Sequence, residues 1–255
     1  MPLSPERETR SYDDTQKRTG VDYIKFTTDY RTVIRILQPE VRTVWKHFIP
    51  QANSGKGSSA VCPNVAPGMS VCPIEQSVAH LPKDNEERKA VTARKRFVIN
   101  VLDRTPHTIC QSCNTQTPGK TVASATGKFC ANCGASLKGR DFAPLNKVKI
   151  LEQGPNLFNK QLNVIEKIQL EEINKPITDY DITITAQGQG RDRVLTAMPQ
   201  DPKEITDEEL LDSETGEPQQ LWDLELLAEP ESSEVISLMM QGASFEQIAA
   251  VKGLE

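Results

Sequence analysis

The sequence predicts a mainly β protein: a small Greek-key barrel with one helix, an inserted cysteine ribbon and an acidic, partly helical C-terminal tail. Three observations predict it. Short β-branched segments with period-two alternation recur through the first 200 residues. They do not alternate with long helical segments, so the pattern favours an antiparallel barrel over a βαβ sheet. Composition then changes after Pro199. Residues 201–255 hold fifteen Asp and Glu against Lys203 and Lys252, a net of −13, which leaves +8 on residues 1–200 and −5 for the whole chain.

The elements follow in order. Residues 1–20 are polar, with QKRTG near their end, and read as a flexible basic N-terminal arm. VDYIKF, TVIRIL (Thr32–Leu37) and VRTVWKHFI (Val41–Ile49) read as strands, and QANSGKGSSA as a loop. RFVINVLDR (Arg96–Arg104) carries the clearest strand signal, and NKVKILEQG (Asn146–Gly154) resumes it. LFNKQLNVIEKIQLEE (Leu157–Glu172) spaces its apolar residues as a helix does. YDITITAQ (Tyr180–Gln187) and RVLTAM (Arg193–Met198), joined through GQGRD, read as a hairpin. The core is thus expected over 21–200, with the ribbon inserted at 105–140. In the tail, QQLWDLELLA, SEVISLMMQ and SFEQIAAVKG read as short helices, the last with Ser244 and Gln247 in capping-box spacing. They suit a docking appendage in residues 201–255.

No run of 18 apolar residues is long enough to span a membrane, and MPLSPERETR offers no apolar signal region. A reducing cytoplasm is therefore the expected compartment, where six cysteines favour metal over disulfides. Cys110-x-x-Cys113 and Cys130-x-x-Cys133, sixteen residues apart, match a four-thiolate zinc site. Such a site leaves no open coordination position, so the expected Zn2+ is structural. Gly134 suits the left-handed turn that closes the second knuckle. The ribbon then either touches nucleic acid through Lys120, Lys128, Lys138 and Arg140 or only stiffens a loop. Cys62 and Cys72 are less easily read. With His47 and Glu75 they make a chemically acceptable mixed zinc site; the simpler reading is two buried or idle thiols.

The order of these features resembles the single-stranded-DNA-binding proteins of tailed phages, typified by the helix-destabilising protein of the T-even phages. The family pattern sets a TVIRIL-type strand before a histidine, then Cys-x9-Cys-Pro-x-Cys, then a basic stretch leading into an aromatic-x-x-Asn strand. Thr32–Leu37, His47, Cys62, Cys72–Pro73, Arg94–Lys95 and Phe97 through Asn100 stand in that order. The resemblance covers roughly residues 17–200. It implies an OB-fold-like barrel that coats unpaired DNA during phage replication, recombination and repair, in the host cytoplasm. It also implies cooperative self-association on DNA, supported by the QKRTG arm. The acidic tail is then expected to recruit replication or recombination proteins and to compete with DNA. There are two departures. Glu75 stands where the family has its last zinc cysteine, and the Cys110–Cys133 ribbon is extra. Together they suggest a metal relocated to the ribbon, with one zinc per chain.

Single-strand binding needs a positive groove and aromatic faces for unpaired bases. The candidate cations are Arg31, Arg35 and Lys46 on the first strands, with Lys25, and Arg94, Lys95, Arg96 and Arg104 around the central one. Phe97, Trp45 and Tyr30 are the stacking candidates, with Phe26 and Phe142 behind them. No nucleophile–base pair, phosphate loop or deaminase motif occurs, so the expected activity is binding and not catalysis. Two other readings fit the same sequence: a zinc-ribbon transcription or regulatory factor contacting a polymerase, and an adaptor that binds through its C-terminal helices.

Overall fold

A computed structural model describes residues 21–28, 31–50, 57–63, 71–118, 129–130, 132–137, 141–188, 192–213, 215–243 and 245–251. The expected arm at 1–20, Tyr30, the ribbon cations Lys120, Lys128, Lys138 and Arg140, and the capping Ser244 lie outside them. The protein is mainly antiparallel β with few helices. In chain order the strands are β1 (Thr32–Ile36), β2 (Arg42–Pro50), β3 (Gly57–Val61), β4 (Arg94–Asp103), β5 (Pro106–Ile109), β6 (Gln116–Pro118), β7 (Ala143–Pro144), β8 (Lys147–Gln153), β9 (Tyr180–Gln187) and β10 (Val194–Pro202). The α-helices taken up below are α1 (Pro73–Ser77), α2 (Glu86–Val91), α3 (Asn163–Ile173), α4 (Leu224–Ala228), α5 (Ser233–Met240) and α6 (Phe245–Val251). Among the described residues no helix is long and apolar enough to cross a membrane.

In place of one continuous core over 21–200, the chain divides into two compact units. One takes Val21–Val41 and Ile99–Trp222, the other Arg42–Val98 and Asp223–Glu255. In the first, the strand order is β10-β9-β1-β4, with β8 also on β4. All five residues of β1 are buried, because β9 and β4 flank it and both its faces are covered. The expected VDYIKF strand reduces to one parallel bridge, Tyr23 to Ile150. The β9–β10 hairpin forms as expected, in register from Val194↔Gln187 to Pro202↔Tyr180. Gly188 opens its turn at φ 76°, where a Cβ would fall 2.8 Å from the Asp192 carbonyl oxygen, so only glycine fits.

The predicted helix begins with a turn at Pro155–Leu157 and a π-helical stretch, Phe158–Leu162, before α3. Asn174 ends it in the left-handed conformation, φ 52°. The wider π turn shifts the buried stripe. Leu157, Phe158 and Leu162 are buried, whereas Ile168, Leu170 and Ile173 stay exposed.

Residues 203–222 correct the expectation of a free acidic tail. Leu210, Leu221 and Trp222 are buried in the first unit. Two amide side chains hold the segment down. Gln219 accepts from the Val148 N–H (2.7 Å) and donates to the Asn146 and Leu211 carbonyls. Asn100 donates to the Trp222 carbonyl and accepts its N–H, each at 2.9 Å. An extended backbone paired this way cannot be helical, so the helix expected from Gln219 starts only at Leu224, where Asp223 caps it.

The second unit has the order β4-β2-β3, with α1, α2 and α4 to α6. Its core gathers Ile49, Ala60, Cys62, Cys72 and Ile74 with Val235, Ile236 and Met239 of α5. The expected SEVISLMMQ helix is therefore a wall of this core and not an appendage. Ser232 caps it by accepting from the Val235 N–H.

Candidate metal centres and nucleic-acid face

Cys110, Cys113, Cys130 and Cys133 converge, with their sulfurs all within 4.8 Å of one another. Each pair is built by the same local chemistry. The Asn114 N–H bonds to the Cys110 carbonyl and the Cys110 N–H to the Thr115 carbonyl, while Gly134, Cys130 and Ala135 repeat the pattern. The residue after each second cysteine adopts the left-handed conformation, Asn114 at φ 55° and Gly134 at φ 71°. Glycine and asparagine are the residues that tolerate this turn. The Gly134 turn is as expected; Asn114 performs the same role unannounced. Behind them lies β6-β5-β7, and Leu137 packs against the sulfurs.

The sulfurs are not bonded to one another: Cys110 to Cys133 and Cys113 to Cys130 are both 3.6 Å. Hydrogen bonds from Thr115 lower the Cys113 thiol to about 6. Cys133, although the Ala135 N–H lowers it, is pushed up to about 12 by its hydrogen bond to Cys113. Four unbonded sulfurs within 4.8 Å of one another are a donor set compatible with a metal site.

A second group, His47, Cys62 and Cys72, is fully buried, with donor atoms also within 4.8 Å of one another. They come from β2, the end of β3 and the start of α1. His47 Nδ1 lies 2.7 Å from the Val91 carbonyl, which can only accept, so Nδ1 carries the hydrogen. Nε2 then faces Cys72 Sγ at 3.2 Å. Locking one ring nitrogen on a carbonyl is how metal-binding histidines are oriented. Glu75, three residues after Cys72, brings Oε1 to 3.9 Å from Cys62 Sγ. The donors that a relocated metal would leave idle are therefore brought together.

The predicted nucleic-acid residues separate. Arg35 and Arg104 are 1 % and 4 % exposed, and the expectation that they contact a phosphate backbone is corrected. Arg35 Nε bonds to Asp181 Oδ1 at 2.7 Å, and Arg104 bonds to Asp181 Oδ2 at 2.8 Å and to Glu209 at 2.7 Å. Burial pulls the Arg35 guanidinium down against the Asp181 charge. At Arg104 burial is outweighed by the bonds to Glu209 and Asp181, and the net shift is upward. Glu209, against its own burial, is lowered to about 2 by the Arg104 hydrogen bond. Phe97 is buried too, beneath the Lys95 ammonium at 4.8 Å, so it is not an open stacking platform. Phe26 is likewise buried, whereas Arg31 and Lys25 are exposed in the first unit.

Trp45, Lys46, Arg94, Lys95 and Arg96 are brought together. The register pairs Trp45 with Lys95, Lys46 with Arg94 and Val44 with Arg96. Paired residues share a face and neighbours along a strand alternate. Lys95 and Trp45 thus fall on the His47 and Ile49 side, which is the core side. Lys46, Arg94 and Arg96 project from the opposite face. Phe48 shares that face and is 51 % exposed, opposite Ser59 of β3. The sequence reading missed it. The signal was available, since Phe48 follows Lys46 by two residues on a strand already recognised. Arg42, on the same face by the same alternation, is paired with Glu225.

No protein-family model matches this chain, and no curated protein matches it.

Proposed function

We propose that the protein binds single-stranded DNA and acts without catalysis, coating unpaired strands during replication, recombination and repair, as the resemblance to the phage helix-destabilising family implies. The observation that carries this reading is the face of β2 and β4 on which the cross-strand pair Lys46 and Arg94 lies next to the exposed Phe48, with Arg96 farther along the same face opposite Val44. Cations for phosphate beside an aromatic face for an unpaired base are the two requirements of sequence-tolerant single-strand binding. Trp45, at 38 % exposed, lies on the other face of β2 with His47 and Ile49 and is not part of this surface. In this reading the antiparallel strands form an OB-fold-like Greek-key barrel.

Zinc is the metal that suits the four cysteines. A tetrahedral ion with Zn–S bonds of about 2.3 Å sets its sulfurs about 3.8 Å apart. The observed 3.6 Å needs little adjustment. With four thiolates the ion is closed to substrate and serves to fix β5, β6 and β7. The His47, Cys62 and Cys72 cluster is a second metal position in this reading, at the place where the resembled family keeps its metal.

Titration of the full chain with fluorescent oligothymidines of increasing length, at two salt concentrations, tests the proposal. Length-dependent binding with a preference over duplex is expected. Equal affinity for duplex would instead favour the regulatory zinc-ribbon reading and overturn this one.

A further inference from the structure

The His47 cluster shares its surroundings with the C-terminal helices. Cys62 and Cys72 lie in one buried cluster with Val235, Ile236 and Met239 of α5, and Ile248 of α6 packs against it. The backbone makes the connection closer. The residue before each cysteine accepts a hydrogen bond from the segment leading into α5. The Val61 carbonyl accepts from the Glu231 N–H and the Val71 carbonyl from the Ser233 hydroxyl, both at 3.3 Å. Moving α5 therefore moves the backbone that aims both sulfurs, and moving the sulfurs disturbs the seat of α5.

The donor set has a second consequence. His47, Cys62 and Cys72 supply three ligands, and a closed structural zinc takes four. Glu75 brings a carboxylate oxygen to 3.9 Å from Cys62 Sγ; it stands outside the set of donors that all lie within 4.8 Å of one another and would swing inward to complete it. It sits three residues beyond Cys72 on α1, so both side chains leave the same side of that turn. Pro73 and Cys72 start the turn, and the Gln76 N–H bonds to the Cys72 carbonyl, which fixes the spacing.

We infer that a metal ion held by His47, Cys62 and Cys72, with Glu75 as fourth donor, fastens α5 and α6 to β2 and β3, so that losing the ion releases the C-terminal helices. The inference rests on the metal reading of this cluster given above. Coupling is reciprocal: whatever metal binding contributes to docking of α5, docking contributes equally to metal affinity. In a reducing compartment a mixed N, S and O set holds zinc less firmly than four thiolates, so this centre is the one to empty first.

The test uses the full chain loaded with zinc alone. Metal analysis is expected to give two zinc ions per chain, falling to one in Cys62→Ser/Cys72→Ser and to one in Cys110→Ser/Cys130→Ser. Amide hydrogen exchange over residues 232–251 is expected to quicken at least about ten-fold in the first variant and to stay unchanged in the second. Should the first variant fail to fold, the reciprocal arm decides. Ile236→Ala, a non-ligand in α5, is expected to weaken zinc at the His47 cluster by about ten-fold in chelator competition and to leave the four-cysteine site alone. Glu75→Ala is expected to weaken the same His47 site by at least about ten-fold. Two zinc ions with exchange and affinity untouched by these changes would overturn the fastening and leave the metal site standing. A single zinc held by the four cysteines would overturn both.

Discussion

If Lys46, Arg94 and Arg96 line a DNA backbone, replacing them must change how binding responds to salt. Each phosphate contact to a single strand releases condensed counterion, contributing about 0.7 to the slope of log K against log salt. The triple variant Lys46→Ala/Arg94→Ala/Arg96→Ala should therefore flatten the slope by about 2. Between about 50 and about 200 mM salt the native protein should lose about twenty-fold more affinity than the variant from these contacts alone. Phe48→Ala should behave differently. Losing a stacked base costs about 1–3 kcal/mol and leaves the slope unchanged, because no phosphate contact is removed. Fluorescence anisotropy with a labelled oligothymidine, at four or more salt concentrations, measures both. Folding is checked by thermal melting, in which some loss of stability is expected because Lys46 and Arg96 are half-buried beside the buried Val44 on this face. An unchanged slope in a folded triple variant would refute the assignment of this face, however tightly the protein still bound.

Three further outcomes follow from the buried polar groups and the cysteines. Glu209 is held near 2 by Arg104, below its ordinary 4.5, so its stabilisation is complete above pH 4.5 and is lost as pH falls toward 2; Glu209→Gln should cost about 3 kcal/mol at neutral pH and remove that part of the acid transition in pH-dependent urea unfolding. Asn100→Ala leaves the buried Trp222 carbonyl and N–H without their amide partner, so a loss of about 2–5 kcal/mol in the same assay is expected. Chelation of the four-cysteine metal should abolish amide protection in β5 to β7 by hydrogen exchange while leaving β1 and β9, which are held by apolar burial, protected.

What could be read in the sequence was mostly local. The Cys110 to Cys133 spacing specifies a pair of knuckles because each turn closes within six residues, and the structure adds only that Asn114 matches Gly134. Strands β2, β4, β8 and β9 were visible through β-branched alternation, as was the hairpin turn. Period two, however, states which residues share a face and not whether that face is covered. Arg35 alternates correctly, yet β1 is flanked on both sides and its guanidinium is spent on Asp181. The convergence of His47, Cys62 and Cys72 depends on three segments meeting, which no spacing encodes. Composition misled most in 201–222, where Gln219 and Trp222 amid many carboxylates did not signal an extended segment tied to the core.

That last misreading changes what the acidic residues can do to DNA binding. A mobile tail would compete for the whole basic surface, and removing 201–255 would then raise affinity. Here α5 of that segment is part of the core, so the deletion exposes Ile49, Ala60 and Ile74 and should unfold the second unit instead. Competition is left to fixed ion pairs, and one is in place. Glu225, at the start of α4, is paired with Arg42, which shares the Lys46 and Phe48 face. Both partners are more than half exposed, so the pair adds little to stability. If the protein binds single strands as proposed, its consequence is to occupy a cation that a phosphate would otherwise take. Glu225→Gln should therefore melt like the native protein, bind oligothymidine more tightly, and steepen the salt slope by about 0.7 as Arg42 joins the contact set. If affinity and slope stay at native values, Arg42 lies off the DNA path, and the face is limited to Lys46, Phe48, Arg94 and Arg96.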